Sequence, residues 1–80
     1  MAPVEFVESR GAKGEIIFRF EGDRPLELIM TAEVAEQVRS GAMPISVGYM
    51  QGKVKMVGSS GLFMDLVAQL DRRDFVVRDS

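Results

Sequence analysis

The sequence predicts an α+β domain, with an antiparallel sheet of about four to five strands and two main helices packed on one face. Three observations lead to this prediction. Apolar and polar residues alternate in three successive segments near the N-terminus, the period expected of half-buried strands. The apolar spacing then changes to that of a helix in two later segments. With 80 residues, the chain is long enough for one domain, which we place at residues 1–80.

The first three strands are predicted to form a meander. Apolar and polar residues alternate over residues 3–9, most clearly over 14–21, and again over 26–30. Short segments rich in glycine and charged residues separate them, which is typical of tight turns. Because such turns join neighbouring strands, we expect these three strands to be antiparallel.

The first helix is predicted to follow the meander directly. Thr31 is a suitable N-cap, and Gly41 is suited to the left-handed residue that ends a helix. Pro44 is expected to open a short helical turn that reaches Val47.

The second half of the chain repeats the strand-then-helix order. Val54 and Met56 are predicted to face inward from a fourth strand. Residues 58–61 form a break and a cap, and the leucine-rich helix 62–70 follows. Residues 75–77 are expected to form a short docked tail or an edge strand.

The last helix is unusually apolar. Only Asp65 and Gln69 interrupt its apolar residues, which cover well over half of a helical wheel, whereas a surface helix needs a stripe about 100° wide. It could be a well-buried core helix, or one flank could face a ligand cavity or a partner. The six methionines of the chain suit adaptable apolar sites, although they could equally fill gaps in a core.

The outer face of the predicted sheet also carries apolar residues, one from each strand. We interpret it either as a solvated face with cross-strand ion pairs or as a patch for a dimer or another partner. The four residues are Val7, Ile17, Ile29 and Val57.

The composition argues against most catalytic chemistry. The chain has no cysteine and no histidine, so thiolate chemistry, disulfides and the commonest general base are absent. Ser59 and Ser60 have no histidine to activate them, and capping is their expected role. We therefore expect no enzyme activity, no metal and no cofactor. The net charge of −2 and the lack of a basic cluster indicate that nucleic acid is not a partner.

Nothing in the sequence indicates a stable membrane insertion. No segment approaches the roughly 18 apolar residues that a membrane-spanning helix needs. The N-terminus lacks the layout of a signal peptide, so we expect a cytoplasmic location. The apolar helix has balanced charge rather than the cationic rim of membrane-surface helices.

Four features in a fixed order resemble the sterol carrier protein 2 family. They are the segment 30–33, the helix end at Ser40-Gly41, the segment Met50-Gln51-Gly52-Lys53-Val54-Lys55-Met56, and the leucine-rich helix that follows. The resemblance covers roughly residues 26–70. It implies a sheet covered on one face by helices, an apolar tunnel that holds sterols or fatty acyl chains, and no covalent catalysis.

The resemblance and the apolar pattern together predict ten residues in contact with a lipid-like ligand. The strand residues would form one wall, and the residues of the last helix would form another. The ten residues are Phe18, Phe20, Leu28, Val54, Met56, Leu62, Phe63, Leu66, Val67 and Leu70.

The chain differs from the family in lacking the long helix that usually precedes the first strand, so we interpret it as a shortened member. Ligand pockets begin near 300 Å³, and an empty cavity of that size would cost about 7 kcal/mol. That cost is close to the whole stability of about 5 to 10 kcal/mol expected here. We therefore expect a collapsed pocket, a groove completed by a second chain, or a ligand that is always bound. The alternative function is a homodimerising accessory module without a lipid.

Overall fold

Five strands and three helices form the part of the chain that the computed structural model describes, residues 2–80. Two helices follow the initial three-strand meander, and strand and helix alternate after them. In chain order the elements are β1 (Val4–Arg10), β2 (Ile16–Phe20), β3 (Leu26–Met30), α1 (Ala32–Ser40), α2 (Ile45–Met50), β4 (Lys55–Gly58), α3 (Ser60–Asp71) and β5 (Phe75–Asp79).

The five strands form one mixed sheet in the order β4-β3-β2-β1-β5. The pairs β1–β2, β2–β3 and β3–β4 are antiparallel, as predicted. The last strand, β5, pairs in parallel with β1, with Val4 opposite Phe75. The fold class is therefore α+β, the tail at residues 75–77 is an edge strand, and the prediction of an entirely antiparallel sheet is wrong at this one pairing.

The path of α3 explains the parallel pair. Three antiparallel steps make β4 run opposite to β1, and α3 then carries the chain from the β4 edge to the β5 edge. Its 12 residues span about 18 Å, close to the width of about 19 Å across four strand spacings. Because β5 starts at the end of the sheet where β4 stops, it must run parallel to β1.

One hydrophobic core joins the inner face of the sheet to all three helices. α1 contributes Val34, Ala35 and Val38, and α2 contributes Ile45. The remaining buried members come from the strands, from α3 and from the residue that precedes β4: Val4, Phe6, Ile16, Phe18, Leu26, Leu28, Met30, Val54, Leu62, Phe63 and Leu70.

The helix boundaries follow the predicted caps. The Thr31 hydroxyl accepts a hydrogen bond from the Val34 amide at 3.2 Å, and Gly41 has the left-handed φ of 86°. The Ser59 hydroxyl accepts from the Leu62 amide at 3.1 Å, which confirms the capping role predicted for Ser59.

The segment between α1 and β4 differs from the prediction. Instead of a short turn that ends at Val47, α2 continues to Met50, so the fold has three helices. Gly52 has a φ of 74°, and the amides of Lys53 and Val54 both donate to the carbonyl of Gly48. These bonds close a turn where alternation alone indicated a strand, and β4 begins only at Lys55.

Candidate apolar binding surface

All ten residues predicted to contact a ligand lie in or against the single core. Six of them are at most 4% exposed: Phe18, Leu28, Val54, Leu62, Phe63 and Leu70. The other four are half-buried and pack on the same cluster: Phe20, Met56, Leu66 and Val67. The structure thus brings the whole predicted set together. It does so as mutually packed side chains, and their role in binding stays a prediction.

The larger surface pockets lie away from most of this set. One of about 590 Å³ is lined by both charged and apolar residues, among them Lys13, Glu33, Lys53, Ile29 and Val34. Another of about 450 Å³ lies beside the β2–β3 turn and includes Phe20. Leu70 contributes to a small pocket of about 30 Å³. These pockets do not provide the long apolar channel expected of a closed tunnel.

Exposed apolar side chains lie instead on α2 and α3. The two helices pack against each other, and the rings of Tyr49 and Phe63 are 5.1 Å apart. Phe63 is buried below this contact, whereas the next residue, Met64, is 65% exposed. On α2, Met50 is 85% exposed. We call Val47, Tyr49, Met50 and Met64 the α2–α3 apolar surface.

Two features hold α2 in this position. Asp71, the last residue of α3, accepts hydrogen bonds from the amide and hydroxyl of Ser46 at 3.0 and 2.5 Å. Gly48 is buried against the core, where a Cβ atom would lie 2.9 Å from Cγ2 of Val54. The absence of a side chain at Gly48 therefore lets α2 approach Val54 closely.

The charge around the α2–α3 apolar surface is low. Residues 45–50 include no charged side chain, and the charged residues of α3 are Asp65 and Asp71. Asp65 pairs with Arg24 at 3.8 Å, and Asp71 is engaged by Ser46. The exposed side chains of the α2–α3 apolar surface therefore present no concentrated charge.

Sequence reasoning missed most of this surface. Val47, Tyr49 and Met50 lie outside the predicted site because that site is drawn only from the strands and the last helix. Met64 is predicted only as part of the apolar circumference of its helix. The available signal is the segment Val47-Gly48-Tyr49-Met50, which contains no charged residue and is consistent with a helix that has one buried and one exposed apolar side.

The outer face of the sheet is a second candidate surface, because the helices cover the opposite face. Val57 and Val76 are 51% and 43% exposed there. Ile17 and Ile29 are half-buried and lie opposite each other in the β2–β3 pair. Val7 is buried, since its neighbours on either side in the sheet register have long side chains, Arg19 and Arg78.

Ion pairs divide this outer face. Arg78 lies 3.7 Å from Glu5 and 3.1 Å from Glu21, and Arg19 lies 4.0 Å from Glu21. The outer face therefore carries both the ion pairs expected of a solvated face and the exposed apolar side chains expected of a patch for a partner.

Within residues 2–80, no group of three or more aspartate, glutamate, cysteine or histidine side chains is placed to hold a metal ion. The helices in the same range lack the combination of length and apolar content needed to cross a bilayer. Comparisons of the chain with protein-family models, curated proteins and solved structures find no significant match.

Proposed function

We propose that this domain binds an apolar, lipid-like ligand, such as a sterol or a fatty acyl chain, without catalysing a reaction. The observation that carries the proposal is the α2–α3 apolar surface. Methionine side chains are flexible and polarizable, and two of them are largely exposed there beside an aromatic contact. The resemblance to the sterol carrier protein 2 family points to the same ligand class, and a cytoplasmic location belongs to the proposal.

The packed core limits where such a ligand can bind. Six of the ten predicted contact residues are already buried against one another. Opening an empty space of about 300 Å³ among them would cost about 7 kcal/mol. We therefore place the first contact of the ligand on the surface between α2 and α3. A ligand that binds deeper, among the core side chains, must itself fill the space that it opens, because an empty space would carry this cost.

Two measurements test the proposal. Native mass spectrometry of freshly purified protein should show a co-purified lipid, and purified protein should increase the fluorescence of cis-parinaric acid. Substituting Met50→Gln together with Met64→Gln should weaken this uptake about tenfold or more, because both positions would lose apolar contact without gaining a charge. Val57→Gln, at an exposed position on the opposite face of the sheet, is the matched control and should leave uptake unchanged.

The proposal is contradicted if the wild-type protein carries no lipid and also takes up no fluorescent fatty acid. If the double methionine variant takes up the fluorescent fatty acid as well as the wild type does, the ligand does not bind at the α2–α3 apolar surface.

A second candidate function is a homodimerising accessory module. The uncovered outer face of the sheet favours it, because Val57 and Val76 are exposed there and Ile17 and Ile29 are half-buried on the same face. In its simplest form the dimer uses this face, and Ile17→Asp or Ile29→Asp should then disrupt it. A protein that stays monomeric at millimolar concentration in sedimentation velocity would contradict this function.

A further inference from the structure

β5 lies at one edge of the sheet, where its outer side pairs with no other strand of residues 2–80. In the parallel pair with β1, the Val4 amide donates to the Asp74 carbonyl, and the Ser80 amide donates to the Glu8 carbonyl. In a parallel ladder every second residue of a strand bonds to its neighbour. The even-numbered residues of β5 therefore face β1, and the odd-numbered residues turn their amides and carbonyls outward: Phe75, Val77 and Asp79.

One contact in the structure agrees with this assignment. The Arg39 guanidinium donates to the Val77 carbonyl at 3.4 Å, from α1 rather than from β1. A carbonyl oxygen can accept two hydrogen bonds, so this contact leaves room for a bond from another strand.

The opposite edge of the sheet is less suited to pairing. β4 has four residues and ends at Gly58, whose φ of 111° departs from extended geometry. Short strands with irregular ends are a common protection against edge pairing. β5 has five residues in extended conformation, so the two edges are not equivalent.

The side chains of β5 are self-complementary in one antiparallel register. A two-fold axis at Val77 places Val77 opposite itself and Phe75 opposite Asp79, so that every pair of outward-facing residues can hydrogen-bond. The same symmetry places Val76 opposite Arg78 on the outer face.

Charge complementarity supports this register. Arg39 and Arg73 line a pocket of about 250 Å³ together with Phe75 and Val77. In the proposed register the Asp79 carboxylate of the second copy lies opposite Phe75 and thus next to this pocket. Within its own chain, Asp79 lies opposite Glu8 in the sheet register, and the Glu8 carboxylate is paired with Arg39 at 3.1 Å.

We propose that two copies of this chain pair through β5 to form a continuous sheet, with Asp79 of each copy beside Arg73 of the other. The inference rests on the second candidate function, self-association, and assigns it a contact surface different from the outer face. The contact involves only short edge strands, so the dimer is weak and concentration-dependent.

Sedimentation velocity from micromolar to millimolar protein tests the pairing. Asp79→Arg should raise the dimer dissociation constant about tenfold or more, because symmetry introduces the repulsion twice. Arg73→Asp should act in the same direction, and aspartate tolerates the positive φ of 64° at this position better than most residues. The double variant should restore dimerisation toward the wild-type value.

Hydrogen exchange supplies a readout that does not depend on these variants. The amides of Phe75, Val77 and Asp79 should become protected as the protein concentration rises. Those of Val76 and Arg78 should be protected at every concentration, because they bond to β1.

Three results would overturn the inference. If Ile17→Asp disrupts the dimer and Asp79→Arg leaves it intact, the chain self-associates but does not pair through the β5 edge. A double variant no better associated than the single variants would reject the charge pairing. A strict monomer at all concentrations would reject both the edge and the second candidate function, while leaving lipid binding to its own tests.

Discussion

The carboxylate of Asp71 joins the end of one helix to the beginning of another. It accepts two hydrogen bonds from Ser46, one from the backbone amide at 3.0 Å and one from the hydroxyl at 2.5 Å. A carboxylate is unfavourable at the C-terminus of a helix and favourable at an N-terminus. Asp71 lies at the end of α3, so its interaction with the first turn of α2 gives its charge a favourable position.

Replacing Asp71 should therefore loosen α2. We expect Asp71→Ala to lower the free energy of unfolding by about 1 to 2 kcal/mol, since the Ser46 amide loses its acceptor. Urea denaturation measures this change. Asp65→Ala is the matched control on the same helix, and its exposed pair with Arg24 predicts a change within about 0.5 kcal/mol. Equal effects of the two variants would contradict the role of Asp71.

Gly48 should be intolerant of even a methyl group. Its Cβ would lie 2.9 Å from Val54 Cγ2 and 3.1 Å from Met43 Sδ. Forcing atoms into a packed core costs about 1 to 3 kcal/mol, which exceeds the gain of about 1 kcal/mol from alanine in a helix. We expect Gly48→Ala to lower the melting temperature.

Gly61 provides the control for this substitution. It lies in the first turn of α3, and a Cβ there would have no neighbour within 4 Å. Gly61→Ala should keep or raise the melting temperature, measured by circular dichroism in the same buffer. A Gly48→Ala protein as stable as Gly61→Ala would mean that α2 packs less closely than the structure indicates.

Truncating Leu28 should remove a large part of the stability. It is fully buried in β3, between Phe18 and Met56 in the sheet register. Leucine-to-alanine substitutions in cores cost about 2 to 5 kcal/mol, against a total of about 5 to 10 kcal/mol for a domain of this size. Urea denaturation of Leu28→Ala should show this loss, whereas Val57→Ala on the exposed outer face should change stability by about 0.5 kcal/mol or less. Comparable losses in both variants would contradict the assignment of the two sheet faces.

Much of the fold could be predicted because local signals determine it. Alternation located β1 to β3 within two residues at each end, and Thr31, Gly41 and Ser59 marked helix ends by hydrogen bonds within a few residues. The position of β5 could not be predicted in this way. Its parallel pairing depends on the length and path of α3 across the sheet, which is a property of the assembled fold.

The candidate site, like the fold, could be predicted only in part from the sequence. The alternation of β2 to β4 and the helical spacing of α3 correctly indicated which side chains face inward. They could not distinguish a packed core from the lining of a cavity, because both require the same apolar residues. The α2–α3 apolar surface could not be predicted because the packing of α2 depends on contacts between residues distant in sequence, such as Tyr49 with Phe63 and Ser46 with Asp71.

Methionine-methyl NMR tests whether an apolar ligand binds at the α2–α3 apolar surface. Protein labelled with ¹³C at the methionine methyls is titrated with a fatty acid below its critical micelle concentration. The methyl resonances of Met50 and Met64 should shift progressively, since both are exposed on the proposed surface. The resonance of Met30, which is buried next to α1, should stay in place. Unchanged Met50 and Met64 resonances at saturating fatty acid would show that the ligand does not bind there.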